Sequence, residues 1–356
     1  MTERQIDLCI IGQGLAGTAL AWMMLQRGKR VLLIDPGLPV TSSRVAAGLL
    51  TPLTGPKLSK TIYWDQARPV AEQFYRSLER QFRIPLFDVR DAVHLFRSQD
   101  EQLLFSQRST APEFQQQARL LPRAELPPGV VAPWGGFAMP EAAQLHVNTY
   151  LDFSRDYFLK AGCLLAETLD PQNDLCMADA EIRIPRWHLR TQQLVFCQGW
   201  TPAGNSWFDK VFFQPAKGEI LSLEIPGRRE RRSLHAGCWL APNPRFPESY
   251  SLGATFEWQQ LDQTPTPAAS ERLLGQLQQW YPEPVRVIGQ QAAVRPTMKD
   301  FHPVIGTHPT FPRLGIFNGL GTRGSLLAPW LAGLLANHLD YHFDLPLEMD
   351  VKRWFR

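Results

Sequence analysis

The sequence lacks most of the features that mark a secreted, metal-bound or membrane-inserted protein. Its five cysteines, Cys9, Cys163, Cys176, Cys197 and Cys238, form no CxxC pair and no metal-ligand spacing. A disulfide framework is therefore not expected, and buried free thiols in a reducing compartment fit this usage. The eight histidines are scattered, without HExxH or related spacing, so no metal site is expected. No serine elbow with a histidine and an acid appears. No apolar run is long enough to cross a bilayer uncharged. The residues before Leu8 include Glu3 and Asp7 and lack the basic segment of a secretory leader. A cytoplasmic protein is the expectation. Charge of one sign is not in excess either: 37 Lys and Arg stand against 34 Asp and Glu, which by itself calls for neither nucleic acid nor membrane.

The chain has 356 residues, more than one compact core usually holds, so two domains are expected. Residues 6–12, IDLCIIG, read as a buried parallel strand cut off by glycine. The pattern from Leu15 to Gln26 is helical, with Gly28 as its stop. Residues 29–35, KRVLLID, form a second buried strand, completing a right-handed βαβ unit. An amphipathic helix is predicted over 66–83, with Phe74, Leu78 and Phe82 on one face. A strand is predicted at 92–98, a helix at 144–161 and an apolar strand at 193–199. Residues 219–225, 238–243 and 250–257 read as antiparallel strands, and Glu271 to Trp280 as a helix. The end, 315–339, reads as strand, glycine-rich turn and helix. Parallel βα elements at both ends with antiparallel strands between them predict an α/β fold: a Rossmann-like nucleotide-binding domain plus a second domain built on an antiparallel sheet. The first would comprise 1–85, 141–210 and 290–356; the second, 86–140 and 211–289.

The motif Gly12-Gln13-Gly14-Leu15-Ala16-Gly17 sits between the first strand and the first helix. Gly12 permits the tight turn, Gly14 lets backbone approach a pyrophosphate, and Gly17 lets helix pack on strand. The helix start offers free N–H groups and a positive dipole end to phosphates. Asp35 ends the second strand, where an acid accepts hydrogen bonds from ribose hydroxyls and disfavours a 2′-phosphorylated cofactor. The fingerprint does not separate FAD from NAD. The small residues in Ser42-Ser43-Arg44-Val45-Ala46-Ala47-Gly48 would let backbone lie against a flat ring system, where an NAD dehydrogenase would place another helix and strand.

With these motifs, the sequence resembles the FAD-dependent D-amino-acid oxidase superfamily, within its glycine oxidase and sarcosine oxidase group. The resemblance rests on GQGLAG with Asp35, SRVAAGLL, LVFCQGW at 194–200, FQPAKGEIL at 213–221, AAVRPTMKDFHPVIG at 292–306 and GLGTRGSLLAP at 319–329. The 292–306 pattern resembles glycine oxidase. The GLGTRG turn resembles the oxidase half of the bifunctional enzyme that builds 5-methylaminomethyl-2-thiouridine in tRNA. This chain begins at the flavin fold, so a fused methyltransferase is not expected. Residues 51–64 depart from both patterns.

The resemblance implies noncovalent FAD between the N-terminal unit and the C-terminal strand–turn–helix. The expected cofactor contacts are Gly12, Gly14, Leu15, Ala16, Gly17, Asp35, Ser43, Arg44, Ala46, Ala47, Gly48, Gly199, Gly319, Gly321, Thr322, Arg323, Gly324 and Ser325. A glycine-rich turn opening a helix would bring positive potential to the flavin. Arg295 is expected to grip a substrate carboxylate with its planar fork, unless it pairs with an acid such as Asp300. Arg323 is expected as a second anion contact or a flavin contact. Lys217 is expected as a solvated strand lysine or else as a group that neutralises the flavin or assists oxygen, and the run from Arg228 to Arg232 as a solvated hairpin tip or else an RNA backbone contact.

The reaction implied is oxidation of the C–N bond of a small amine or amino acid, by hydride transfer to the flavin. Three alternatives stand beside it: a tRNA wobble-uridine-modifying oxidase, an amine dehydrogenase passing electrons to an acceptor other than oxygen, and a flavin-binding protein without turnover.

Overall fold

The structure is a computed structural model that describes residues 3–178, 181–201 and 204–355. Residues 1–2, 179–180, 202–203 and 356, all within the segments expected to form the flavin domain, lie outside the described residues. Apolar runs bounded by glycine build the first sheet. Its parallel core runs, in spatial order, through Leu164–Leu165, Val31–Ile34, Arg4–Ile11, Leu189–Phe196 and Leu314–Asn318. Val31–Ile34 and Leu314–Asn318 are buried at every position, as strands covered on both faces must be. Val304–Thr307 and Ile182–Ile184 add antiparallel pairs to it.

The helix Leu15–Gln26 keeps the limits its sequence predicts. Gly28 follows at φ +74°, a left-handed conformation that glycine adopts without cost. This helix is buried nearly all round because it lies between the sheet and the helix Gly324–Tyr341. A Cβ on Gly324 would stand 2.8 Å from Leu15 Cδ1, so small residues set the closeness of the two helices. Trp22 donates from Nε1 to Ser154 Oγ at 2.8 Å. Its ring packs among Phe82, Phe153, Tyr157 and Phe158, tying in the helices Trp64–Phe82 and Val147–Lys160.

The second sheet has eight strands. Its order is Arg286–Arg295, Ala216–Glu224, Ser249–Gly253, Cys238–Pro242, Ser233–Ala236, Ala92–Leu95, Gly136–Met139 and Arg119–Leu121. It is antiparallel except for one parallel pair, Ser233–Ala236 with Ala92–Leu95. One face packs Leu221, Leu223, Leu240 and Leu252 against Leu273 and Leu277 of the helix Pro267–Gln278. The other face closes over the end of the nucleotide fold. A small third sheet, Leu49–Leu50 with Ala143–Leu145 with Phe87–Val89, joins the two.

Several bounds differ from the sequence reading: the strands expected at 193–199 and 250–257 are Leu189–Phe196 and Ser249–Gly253, and the helices expected at 66–83 and from Glu271 to Trp280 are Trp64–Phe82 and Pro267–Gln278. The predicted helix from 144 begins at Val147, because 143–145 pair as a strand. The ten-residue strand Arg286–Arg295 was not foreseen, and the boundary drawn at 290 falls within it. The stretch before Pro140 holds the helix Gln99–Arg108, whose first turn is capped by Ser98 accepting from the Glu101 N–H.

Candidate active site

A single cleft of about 410 Å³ runs from the first βαβ unit to the second sheet. At one end, Gly12 turns the chain at φ +104°. A Cβ there would lie 2.5 Å from the Cys197 carbonyl oxygen, so only glycine fits both the conformation and the space. A Cβ on Gly17 would collide with the Gly12 carbonyl oxygen, which explains the third glycine: it lets helix meet strand. Gly14 begins the helix without a side-chain cap, and the Leu15 N–H donates to Ser43 Oγ at 3.1 Å. Donors at an uncapped helix start suit an anionic phosphate.

The Asp35 carboxylate holds this turn together. It accepts from the Gln13 N–H at 2.8 Å, the Gly37 N–H at 2.8 Å and Arg155 Nη1 at 2.9 Å. Arg155 belongs to the helix Val147–Lys160 and also donates to Gln13 Oε1 at 3.1 Å. Neither Arg155 nor the buried Gln13 side chain was singled out in the sequence, since nothing local marks them as partners of Asp35.

The opposite wall is the C-terminal turn. Gly319 and Gly321 take φ of +76° and +54°, and the helix that starts at Gly324 again has no side-chain cap. Asn318 fixes this turn to the other wall, donating from Nδ2 to the Gly199 carbonyl at 2.7 Å and accepting from the Gly319 N–H at 2.8 Å. Two uncapped helix starts therefore converge on one cleft, one at each side. Among the expected contacts, Gly12, Gly14, Leu15, Ala16, Asp35, Ser43, Arg44, Ala46, Ala47, Gly48, Gly199, Gly321, Thr322, Gly324 and Ser325 line it. Gly17 and Gly319 lie behind the wall as supports. Arg44 is in the wall, but its charge is committed to Asp152 at 2.7 Å. The crowding at Gly12, the helix starts without side-chain caps of their own and the acid at Asp35 fit a dinucleotide with a flat ring system, and FAD is such a group.

At the far end, Gly218, Ile220, Trp239, Phe256, Ala293 and Arg295 form the wall. Arg295 ends the strand Arg286–Arg295 and donates from Nη1 to the Thr255 carbonyl at 3.1 Å. Its guanidinium carbon lies 4.4 Å from the Phe256 ring centroid, within cation–π range. Burial pulls its pKa down from 12.5 to about 10, and no carboxylate among the described residues pairs with it. The alternative pairing with Asp300 does not occur: Asp300 binds Arg353 at 2.8 Å and the His302 N–H at 3.1 Å.

Other expectations are corrected. The Arg323 guanidinium does not enter the cleft wall; it donates to the Phe301 carbonyl at 3.0 Å, and burial lowers its pKa. Lys217 is not solvated. It is 1% exposed, bonded through Nζ to Asp262 Oδ1 and the Thr264 carbonyl, each at 2.6 Å, because strand alternation turns it inward beneath the segment that follows Thr255. The run 228–232 is not a free basic tip. Arg228 is buried over Tyr281 and Tyr250, and Arg232 pairs with Glu230 at 2.7 Å, leaving Arg229 and Arg231 exposed. Among the described residues no cluster fit for a metal ion occurs, and no helix is long and apolar enough to cross a membrane.

Known proteins share this chain's fold and family. Over 93% of its length, the chain is 24% identical to the tRNA 5-methylaminomethyl-2-thiouridine biosynthesis bifunctional protein of Marinobacter nauticus, of which it spans 55%. It is 23% identical to the glycine oxidase of Bacillus subtilis, covering 94% of this chain and 93% of that one. The crystal structure of glycine oxidase from Geobacillus kaustophilus superposes with a TM-score of 0.82 at 20% identity, covering 98% of each chain, which shows a shared fold. Residues 7–338 match the family model for DAO, FAD dependent oxidoreductase. The chain therefore belongs to the DAO family of FAD dependent oxidoreductases.

Proposed function

We propose that this enzyme oxidises the C–N bond of a small amino acid or related amine that carries a carboxylate, with Arg295 as the carboxylate anchor. One observation carries the reading: a largely desolvated guanidinium at the end of the cleft, with no carboxylate partner among the described residues. Desolvating a cation without an anion costs free energy, and a ligand carboxylate offsets that cost with a bidentate, charge-assisted pair. When bound, FAD supplies the acceptor for the hydride on the carbon next to nitrogen. The chain's own residues orient that carbon: Arg295 holds one end of the substrate, while Trp239, Phe256 and Ile220 exclude water and restrict its approach. The imine product then adds water and expels its nitrogen as ammonia or an amine, leaving a carbonyl compound. The backbone N–H groups and helix starts at Gly321–Gly324 provide the positive potential that favours accepting hydride, so no acid–base dyad is needed.

A second reading, oxidation of a carboxymethylamino group on a tRNA base, is supported by the likeness to the bifunctional tRNA protein, and Arg295 would serve it equally. Against it, the basic run offers only two cations without a carboxylate partner among the described residues, whereas binding a phosphate backbone needs several along a groove.

The test is anaerobic flavin bleaching across amines, amino acids and tRNA. Bleaching by a small amino acid, lost in Arg295→Lys with FAD content unchanged, is expected, because lysine keeps the charge but not the fork. Bleaching by tRNA alone, or equal turnover in Arg295→Lys, would overturn the proposal.

A further inference from the structure

The strand Ala216–Glu224 carries a glycine in its interior, Gly218. Glycine weakens a strand, and inside one it often marks the close approach of another group. Here that group is the Arg295 guanidinium, which occupies the space where a Gly218 Cβ would be. Arg295 stands opposite Ala216 across the antiparallel pair, and Gly218 stands opposite Ala293. The arginine side chain therefore crosses diagonally over a trough of small residues. Phe256 closes the trough from the other side, with its ring centroid 4.4 Å from the guanidinium carbon, and the Thr255 carbonyl takes one N–H. The other N–H groups of the fork have no protein acceptor among the described residues.

We propose that Gly218 and Phe256 are positioning residues, a slot and a lid that fix the plane of the Arg295 guanidinium so that its edge meets a planar carboxylate in the cleft. The proposal rests on Arg295 being the carboxylate anchor. Gly218 has no left-handed φ and sits in regular pairing, so alanine there adds no backbone strain; its Cβ displaces only the tip of a flexible side chain. A displaced fork loses the geometry of two parallel N–H···O bonds while keeping its charge.

The test uses the FAD-loaded enzyme and benzoate, a planar carboxylate on an apolar ring suited to the Trp239, Phe256 and Ile220 wall. Benzamide serves as the uncharged control. Binding is read by tryptophan fluorescence and flavin absorbance, with FAD content and Tm measured in parallel. Gly218→Ala should weaken benzoate roughly ten- to a hundredfold, the range of a charge-assisted hydrogen bond, and leave benzamide binding, FAD content and Tm unchanged. In the Arg295→Lys background it should add nothing. Phe256→Leu should weaken benzoate, whereas Phe256→Tyr, which keeps the ring, should restore it. If Gly218→Ala does not fold, the two Phe256 variants in both backgrounds decide the matter alone. Weakening by Arg295→Lys but not by Gly218→Ala or Phe256→Leu overturns this proposal and leaves the anchor in place. No preference of the wild type for benzoate over benzamide, or none lost in Arg295→Lys, removes the anchor and this proposal with it. Equal weakening of benzoate and benzamide, or loss of FAD, makes Gly218 a structural glycine and overturns its positioning role.

Discussion

Asp35→Asn should separate two roles that one carboxylate performs. The two oxygens of a carboxylate offer about four acceptor positions. Oδ1 accepts from Gly37 and Arg155, and Oδ2 from Gln13. One position on Oδ2 remains, and Asp35 lines the cleft, so one ribose hydroxyl is the most it can take. A charge-assisted bond of that kind contributes about 1.5–3 kcal/mol, so FAD affinity should fall roughly ten- to a hundredfold. The amide also presents a donor where the Gln13 N–H needs an acceptor, leaving that N–H without its bond at a cost of about 1–3 kcal/mol. The apoprotein should therefore lose stability as well. The assay is quenching of flavin fluorescence on titrating apoprotein with FAD, alongside the Tm of the apoprotein. Arg155→Met is the control, since Arg155 grips the same carboxylate but does not line the cleft; it should lower Tm without a comparable loss of FAD. Unchanged FAD affinity in Asp35→Asn would refute the ribose contact and leave Asp35 as a brace for the Gln13 turn.

Three further outcomes follow from named contacts. Gly17→Ala should abolish FAD retention, because its Cβ collides with the Gly12 carbonyl and the helix cannot reseat without opening the phosphate turn; a yellow, fully loaded variant would contradict this. Glu101 is pushed upward by burial, but hydrogen bonds from His94 and the Arg97 N–H outweigh this and hold it at about 2 against an ordinary 4.5. Its contribution to stability is thus complete above about pH 4.5 and disappears as pH falls through about 2, so Tm curves of Glu101→Gln and wild type should converge in acid and part toward neutrality. Charge reversal at Arg229 and Arg231 should leave turnover of a small substrate unchanged; tight, salt-sensitive tRNA binding that the reversal abolishes would favour the RNA reading instead.

The nucleotide half was legible because its signals are local. A strand, three glycines, a helix and an acid follow one another within Arg4–Asp35, and each glycine answers to one steric demand at Gly12, Gly14 or Gly17. What the sequence concealed is non-local. Asp35 meets Arg155 across 120 positions, and no pattern near either residue announces it. The strand Arg286–Arg295 was missed because Gly289, Gln290 and Gln291 interrupt its apolar run. In the folded chain Gln290 donates to Glu219 and to the Thr266 carbonyl, both at 2.8 Å, so a polar residue serves as a cross-strand tie. The glycine turn 319–324 was visible, yet which way Arg323 points depends on the Phe301 carbonyl, contributed by a separate loop.

Lys217 shows how one strand serves both sides of its sheet. Alternation puts Gly218 and Ile220 in the cleft wall and Lys217 and Glu219 on the opposite face. On that face the pair grips the segment Thr255–Thr266. Lys217 holds Asp262 and Thr264, Glu219 accepts from the N–H and hydroxyl of Thr266, and Thr255 Oγ1 accepts from the Glu219 N–H. Both ends of the segment are thereby fixed, the Thr266 end by charge-assisted bonds to the Glu219 carboxylate and the Thr255 end by the Glu219 N–H, and Phe256 at its start is carried over Arg295. The half-exposed ring of Phe256 has no large apolar burial to hold it there. The polar grip behind the sheet supplies that hold, and its charge-assisted bonds offset the cost of burying a lysine and a glutamate.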